Sequence, residues 1–401
     1  MKKHLSLTAV ALAVAAALAA PSAMAAANEV VIGDIDDMSG PYADVIGQGG
    51  IEAAKMAIAD FGGTVLGKKV VLLSADHQNK PDLAASKFRE WADQNGVNMI
   101  LGGSNTGTSI AMSKVAGAKH VPFIAIGAAG ASLTNEDCTP YSVHYAYDTT
   151  SLANGTASVI TKQGGKTWYF LTADYAFGTQ LREAATNVAQ ANGGKSLGEV
   201  RVPLGTTDFS SFLLQAQGSK AQVLGLANAG TDFTNSLKAA QEFGITKTMK
   251  PAALLAFISD IHALGLKTAQ GLYFTTSWYW DMNADSRAWA KRFFATMKKE
   301  PTENQAAYYS ATLQYLNAVK AANTTDPDKV MAELKKMKIN DMFAKNGTIR
   351  SDGVMLHPMY VMQVKTPAES KYPWDYYKLI NTMSGEEAFG PVTGKCKAVK
   401  G

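Results

Sequence analysis

The sequence predicts an α/β protein made of two doubly wound halves, on three observations. Strand-like apolar runs alternate with amphipathic helical patterns twice over, across residues 29–134 and again across 151–255. Loops of small residues leave the carboxyl ends of strands, where open parallel sheets bind ligands. A length of 401 residues exceeds the usual single domain and points to two. No Gly/Ser-rich linker separates the halves, so the joint is expected to be a hinge of several chain crossings. Hydrophobic residues make up 47% and charged residues 18%, which suits a globular chain with a substantial core.

Residues 1–25, MKKHLSLTAVALAVAAALAAPSAMA, read as a secretory leader: a basic start, an apolar run, then the small-x-small site Ala23-Met24-Ala25. Cleavage near Ala25 implies export to the periplasm. The run stops at Pro21, short of the roughly 20 apolar residues a span needs, so no stable membrane insertion is expected. The formal charge of +4 falls to +2 without Lys2 and Lys3, too near neutral for a nucleic-acid surface.

A strand over 29–33 leads into an acidic loop, and the next helix carries Ile51, Ala54, Ile58 and Phe61 on one face. Gly62-Gly63 ends it. A strand over 69–74 follows, and Pro81 opens a helix with Ala84, Phe88, Trp91 and Ala92 in a stripe. Residues 99–134 then read as strand (99–101), loop (102–107), helix (108–119), strand (121–126) and a second small-residue loop (127–131). Both loops offer free N–H groups and hydroxyls with little side-chain bulk, and the first meets a helix N-terminus suited to an anion.

An irregular, aromatic-rich stretch over 137–148 marks the passage to the second series. There, helices over 151–163, 177–191, 209–217 and 232–243 alternate with strands over 166–171, 196–202, 222–226 and 252–255. Gly193-Gly194, Gly218 and Gly244 stand where helices stop. After 271–275 three helices follow, over 286–299, 305–322 and 326–336, then a strand over 354–364 and a looser aromatic segment over 371–377.

Signatures of chemistry are missing. The six histidines show no metal spacing, GGSNTG at 102–107 lacks the glycine pattern of a dinucleotide site, and neither GxxxxGK[ST] nor GxSxG occurs. No enzyme activity, cofactor or metal is therefore expected. Asp34, Asp36 and Asp37 read as a solvated loop with one residue capping the next turn. Cys138 and Cys396 either form one disulfide, tying the tail to the middle of the chain, or remain two thiols; they are too few for a zinc site.

DMSGPYADVIGQGGIEAAKMAIADFGG, the GGSNTGTSIAMSKVAGAKHVPFIAIGAAGASLT block and TADYAFG at 172–178 resemble, in that order, exported solute-binding proteins of ABC importers. The closest resemblance is to those that bind leucine, isoleucine and valine, and it covers nearly everything beyond the leader. It implies a type I periplasmic-binding-protein fold, two lobes joined by crossings near 139–147, 272–276 and 354–359. One lobe comprises 26–140 and 276–354 with the tail 385–401; the other comprises 141–275 and 355–384. The implied partners are a small carboxylate ligand and a membrane permease with its ATPase, and the implied state is a monomer.

The same resemblance assigns the ligand carboxylate to Asn105, Thr106, Gly127, Ala128 and Ala129, and places Tyr175 or Phe177 over the ligand from the second lobe. Two departures follow. The loop LLAFIS has Ala256 and Phe257 where amino-acid binders carry an acid for the ligand's ammonium, and LANAGTD has small residues, Ala229 among them, where relatives place a tyrosine. In a shifted register Asp174 or Asp232 could take the place of that acid. Tyr42, Phe177, Phe257, Trp278 and Tyr279 are expected to line a wide apolar cleft, fitted to an aromatic or branched aliphatic carboxylate. The alternatives are a binder of branched-chain amino acids or short amides, and a ligand-presenting sensor subunit.

Overall fold

In the computed structural model, which describes residues 28–398, strand β1 (Glu29–Asp36) sits inside a six-stranded sheet. The leader expected over 1–25 lies outside the described residues. Every residue of β1 after Val30 is buried, as befits a parallel strand covered on both faces. Its Gly33 has no room for a side chain: a Cβ there would lie 2.5 Å from Ile100 and 2.7 Å from Trp91. Helix α1 (Gly47–Phe61) buries Ile51, Ala54 and their neighbours and ends at Gly62, whose φ of 103° suits glycine. Strands β2 (Thr64–Val65) and β3 (Lys68–Asp76) form a hairpin, and β3 pairs parallel to β1. Helix α2 (Pro81–Gln94), β4 (Val97–Gly102), α3 (Thr106–Lys119), β5 (Phe123–Ala125) and β6 (Ser142–His144) complete this half, with sheet order β2-β3-β1-β4-β5-β6.

The second parallel sheet has the order β10-β9-β7-β8. It is built from α4 (Thr149–Lys162), β7 (Thr167–Ala173), α5 (Ala176–Ala191), β8 (Lys195–Val202), α6 (Ser210–Gly218) and β9 (Val223–Ala227). Helix α7 (Gly230–Glu242), β10 (Lys250–Ala253), α8 (Ile258–Leu264) and α9 (Leu266–Ala269) follow. Strand β11 (Tyr273–Thr276) then leads back to the first half through α10 (Ala284–Met297), α11 (Glu303–Ala322) and α12 (Pro327–Lys336). Helix α11 packs along α1: Thr302 Oγ1 donates to the Val45 carbonyl at 2.6 Å, and Gly49 leaves the space that Gln305 fills.

A small antiparallel sheet, β12 (Lys338–Ile339), β13 (Gly347–Ile349) and β14 (Met355–Leu356), ends that excursion. The single strand expected over 354–364 is broken at His357-Pro358, since proline cannot donate to a ladder. Strand β15 (Met359–Val364) pairs antiparallel with β11, and β16 (Tyr377–Met383) pairs antiparallel with β15. The chain thus passes between two lobes three times: after β6, after β11, and between β14 and β15. Helix α13 (Gly385–Phe389) and the tail then run back to the first lobe, where Cys396 is bonded to Cys138 with a Cα separation of 5.6 Å. Among the described residues no helix is long and apolar enough to cross a membrane.

Candidate ligand-binding site

Parallel strands of both lobes end at one small space between them. From the first lobe it is lined by Tyr42, Val45 and Ile46 after β1, Ser104 and Thr106 after β4, and Gly127 and Ala129 after β5, with Asn304 from the start of α11. Tyr175 and Phe177 after β7, Ala229 after β9, and Leu255 and Phe257 after β10 come from the second lobe. The lobes touch around it. The Tyr42 and Tyr175 hydroxyls are 2.6 Å apart, Thr231 N–H donates to the Pro41 carbonyl at 3.3 Å, and Ser132 N–H donates to Gln180 Oε1 at 3.0 Å. Gly230 makes that approach possible: at φ of 60°, a Cβ would stand 2.4 Å from the Pro41 oxygen.

The polar groups on the wall have a definite sense. Asn79 N–H donates to His77 Nδ1 at 3.0 Å, so the proton of this neutral ring resides on Nε2, 3.5 Å from Ser104 Oγ. Burial holds the His77 pKa below its ordinary value, which keeps the ring neutral. Ser104 Oγ also accepts from Asp37 N–H at 3.3 Å, so its own proton is left for an acceptor in the cavity. Thr106 Oγ1 accepts from Gly130 N–H at 3.1 Å and is left with a proton in the same way. Asn304 donates to the Tyr147 hydroxyl at 3.0 Å, while its Oδ1 is buried without a partner. Tyr147 in turn donates to the Gly127 carbonyl at 3.0 Å, which fixes the second small-residue loop.

Helices α3, α5 and α7 begin at this cavity, and the N-caps of the last two, Tyr175 and Ala229, make no side-chain capping bond. Their first N–H groups and dipoles favour negative charge in front of them. Among the described residues no acidic side chain lines the space. Asp174 is half-exposed and paired with Arg201 at 3.2 Å. Asp232 and Asp260 stand just behind the wall, accepting from Gly205 N–H at 3.1 Å and Phe257 N–H at 3.0 Å. Burial pushes their carboxyls up to about 6 and about 8.

The cavity therefore brings together Tyr42, Thr106, Gly127, Ala129, Tyr175, Phe177, Ala229 and Phe257 of the expected residues. Asn105 instead caps α3, accepting from Gly107 N–H at 2.8 Å and Thr108 N–H at 3.3 Å. Ala128 offers its carbonyl to His144 Nε2 at 2.6 Å. Trp278 does not reach the space: its Nε1 donates to the Met342 carbonyl at 3.0 Å and its ring packs edge-on against Trp289. Trp278 and Tyr279 line a second, adjacent cavity. The acidic loop is also not solvated: Asp34, Asp36 and Asp37 are fully buried. Asp36 accepts from Ser104 N–H at 2.9 Å and from Tyr308, and Asp37 accepts from Tyr42 N–H at 2.9 Å and Gly40 N–H at 2.7 Å. Sequence reasoning missed Val45, Ile46, Ser104, Leu255 and Asn304.

Comparison with known proteins agrees with this architecture. The periplasmic binding protein family profile matches residues 29–371. A periplasmic binding protein of Burkholderia mallei is 63% identical, with 90% of this chain and 96% of that one aligned at a TM-score of 0.89. A branched chain amino acid ABC transporter periplasmic ligand-binding protein of Burkholderia xenovorans LB400 is 40% identical, with 90% and 97% coverage and a TM-score of 0.80. A solute-binding protein of R. palustris, solved in complex with 4-hydroxybenzoate, shares the fold at 22% identity, with 89% and 97% coverage and a TM-score of 0.80. Two doubly wound lobes, a three-crossing hinge and a profile match across most of the chain lead to one conclusion: this chain belongs to the periplasmic binding protein family, in its Leu/Ile/Val-binding type.

Proposed function

We propose that the chain is the substrate-binding component of an ABC importer, which captures a small aromatic or branched aliphatic carboxylate between its lobes and delivers it to a membrane permease and ATPase. The carrying observation is the pair Ser104 and Thr106, whose hydroxyls already accept hydrogen bonds and so offer their protons to an acceptor in a cavity without an acidic side chain. An amino acid sealed in that cavity would leave its ammonium buried and uncompensated, at a cost of several kcal/mol. In this reading a leader cleaved near Ala25 sends the protein to the periplasm, where it works as a monomer. The moving parts are residues 26–140 with 276–354 and the tail 385–401, against 141–275 with 355–384, except that β6 (Ser142–His144) pairs into the first sheet and moves with the first part. Binding energy favours the closed arrangement, and the permease reads that closure.

A second reading, capture of branched-chain amino acids or short amides, draws on the 40% identity to the Burkholderia xenovorans protein. Thermal-shift titration separates the two. A ligand at a hundred times its Kd adds about 2.7 kcal/mol of stability, so benzoate-type or branched aliphatic acids should raise Tm measurably and leucine should not. Stabilisation by leucine with none from any simple carboxylic acid would overturn the carboxylate reading.

A further inference from the structure

Behind Phe257, which lines the ligand cavity, lies a second, small space that Phe257 also lines. Its walls include the aromatic rings of Trp278, Tyr279 and Tyr377, and two polar groups on them are unsatisfied. Glu303, at the first position of α11, is 4% exposed. Its Oε2 accepts from Thr276 Oγ1, from Ser277 N–H at 2.5 Å and from Ser277 Oγ at 2.9 Å, while Oε1 is buried with no partner. Tyr377 is 6% exposed, and its hydroxyl also has no partner. A buried polar atom left unpaired costs about 1–3 kcal/mol, and here an acceptor and a hydroxyl face the same small space.

We propose that this space is a specificity subsite that receives a hydroxyl at the far end of the ligand, donating to Glu303 Oε1 and accepting from the Tyr377 hydroxyl. The inference rests on the carboxylate reading above. It narrows the ligand to an elongated aromatic acid with a phenolic hydroxyl remote from its carboxylate. A hydroxyl can donate to Glu303 Oε1 and accept from the Tyr377 hydroxyl at once, whereas an ammonium, which has no lone pair, can only donate. Ser104 and Thr106 hold the carboxylate at one end, and Asn304 places its unpartnered Oδ1 beside the first cavity from the residue next to Glu303. Phe257 lines both spaces and stands as the partition between them, so the subsite requires its ring to turn aside when the ligand enters.

The test compares Kd by calorimetry for three pairs of acids: benzoate with 4-hydroxybenzoate, 3-phenylpropanoate with 3-(4-hydroxyphenyl)propanoate, and cinnamate with 4-hydroxycinnamate. At least one of the hydroxy acids should bind tenfold or more tightly than its partner lacking the hydroxyl. Tyr377→Phe should cut that preference to threefold or less and leave the Kd of the unhydroxylated acid within threefold of the original. Glu303→Gln should do the same; where it fails to fold, because Glu303 also anchors Thr276 and Ser277, Tyr377→Phe decides. No hydroxyl preference in any pair, or a preference untouched by Tyr377→Phe, overturns the subsite and leaves a cavity that holds only water. Binding of the unhydroxylated acids with no hydroxyl preference sinks this inference alone, whereas failure of every acid to bind sinks the carboxylate reading as well.

Discussion

At the scale of residues, Ser104 is the least conspicuous member of the site and among the most informative. Its backbone N–H is tied to Asp36 and its Oγ to Asp37 N–H and His77, so the hydroxyl proton has one direction left. Ser104→Ala should weaken binding of a simple carboxylate such as benzoate about 10- to 100-fold, the loss of a hydrogen bond to a charged acceptor worth about 1.5–3 kcal/mol. The fold should tolerate the change, because Asp37 N–H keeps Asp36 Oδ1 at 2.8 Å. Calorimetry beside a thermal melt checks both halves of the statement, and an unchanged Kd would remove Ser104 from the site. The legibility of the site follows the range of the interactions that build it. Thr106, Gly127 and Ala129 stand in loops announced by their own local strand-loop-helix pattern. Asn304 arrives from α11, far along the chain, and nothing near it in sequence signals a cleft. Trp278 looked like a cleft residue because the run Trp278-Tyr279-Trp280 is so aromatic, yet a carbonyl of residue 342 claims its indole N–H. The buried acids deceived for a related reason: composition suggests solvent, while the donors that satisfy them, Tyr308 above all, lie on another element.

At the scale of elements, the crossings are stiffened by two buried histidines. His144, at the end of β6, reaches the Ala128 carbonyl of the second small-residue loop through Nε2, and its Nδ1 is unpartnered. His357, in the break between β14 and β15, has Nε2 3.0 Å from the Ala146 carbonyl. Burial lowers both pKa values to about 4. A folded-state pKa below the unfolded value near 6.5 means that the unfolded chain binds more protons between those limits. The stability these groups contribute is therefore present above pH 6.5 and lost as pH falls toward 4. Asp148, raised to about 6 by burial at the start of α4, acts in the opposite sense, so total stability is a poor readout. The difference between wild type and His144→Gln is the better one. That difference should shrink on acidification from pH 6.5 to 4, by up to about 1.4 kcal/mol per pH unit at most. A difference independent of pH in denaturant melts would mean that His144 is not held neutral. The broken strand itself was half legible: residues 354–364 announced extended structure, but His357-Pro358 within them divides a strand of one lobe from a strand of the other.

At the scale of the whole molecule, the C-terminal tail makes a fourth connection between the lobes. Strand β16 pairs with β15 in the second lobe, α13 packs against α4 and β14, and Cys396 then closes on Cys138 in the first. The tail is also held without that bond. Arg350 Nη1 donates to the Gly390 carbonyl at 2.6 Å, the Phe389 ring meets His357 edge-on, and Thr393 bonds to Asn135. The disulfide therefore acts chiefly on the unfolded chain, where it closes a loop with a sequence separation of 258 that contains the second lobe and the α10–β14 part of the first. Opening it by Cys138→Ser with Cys396→Ser should leave the native structure and the Kd for a simple acid nearly unchanged, while unfolding stability falls by about 2–4 kcal/mol. Urea denaturation of oxidised wild type, reduced wild type and the double variant measures this. The reduced protein and the variant should share a lower midpoint and a steeper denaturant dependence, because an uncrosslinked chain exposes more surface when it unfolds. Equal midpoints in all three would mean that the tail's non-covalent contacts alone set its docking. A changed Kd in the variant would instead make the disulfide a strap on lobe closure, since only a bond that restrains the open state can alter ligand binding without touching the ligand.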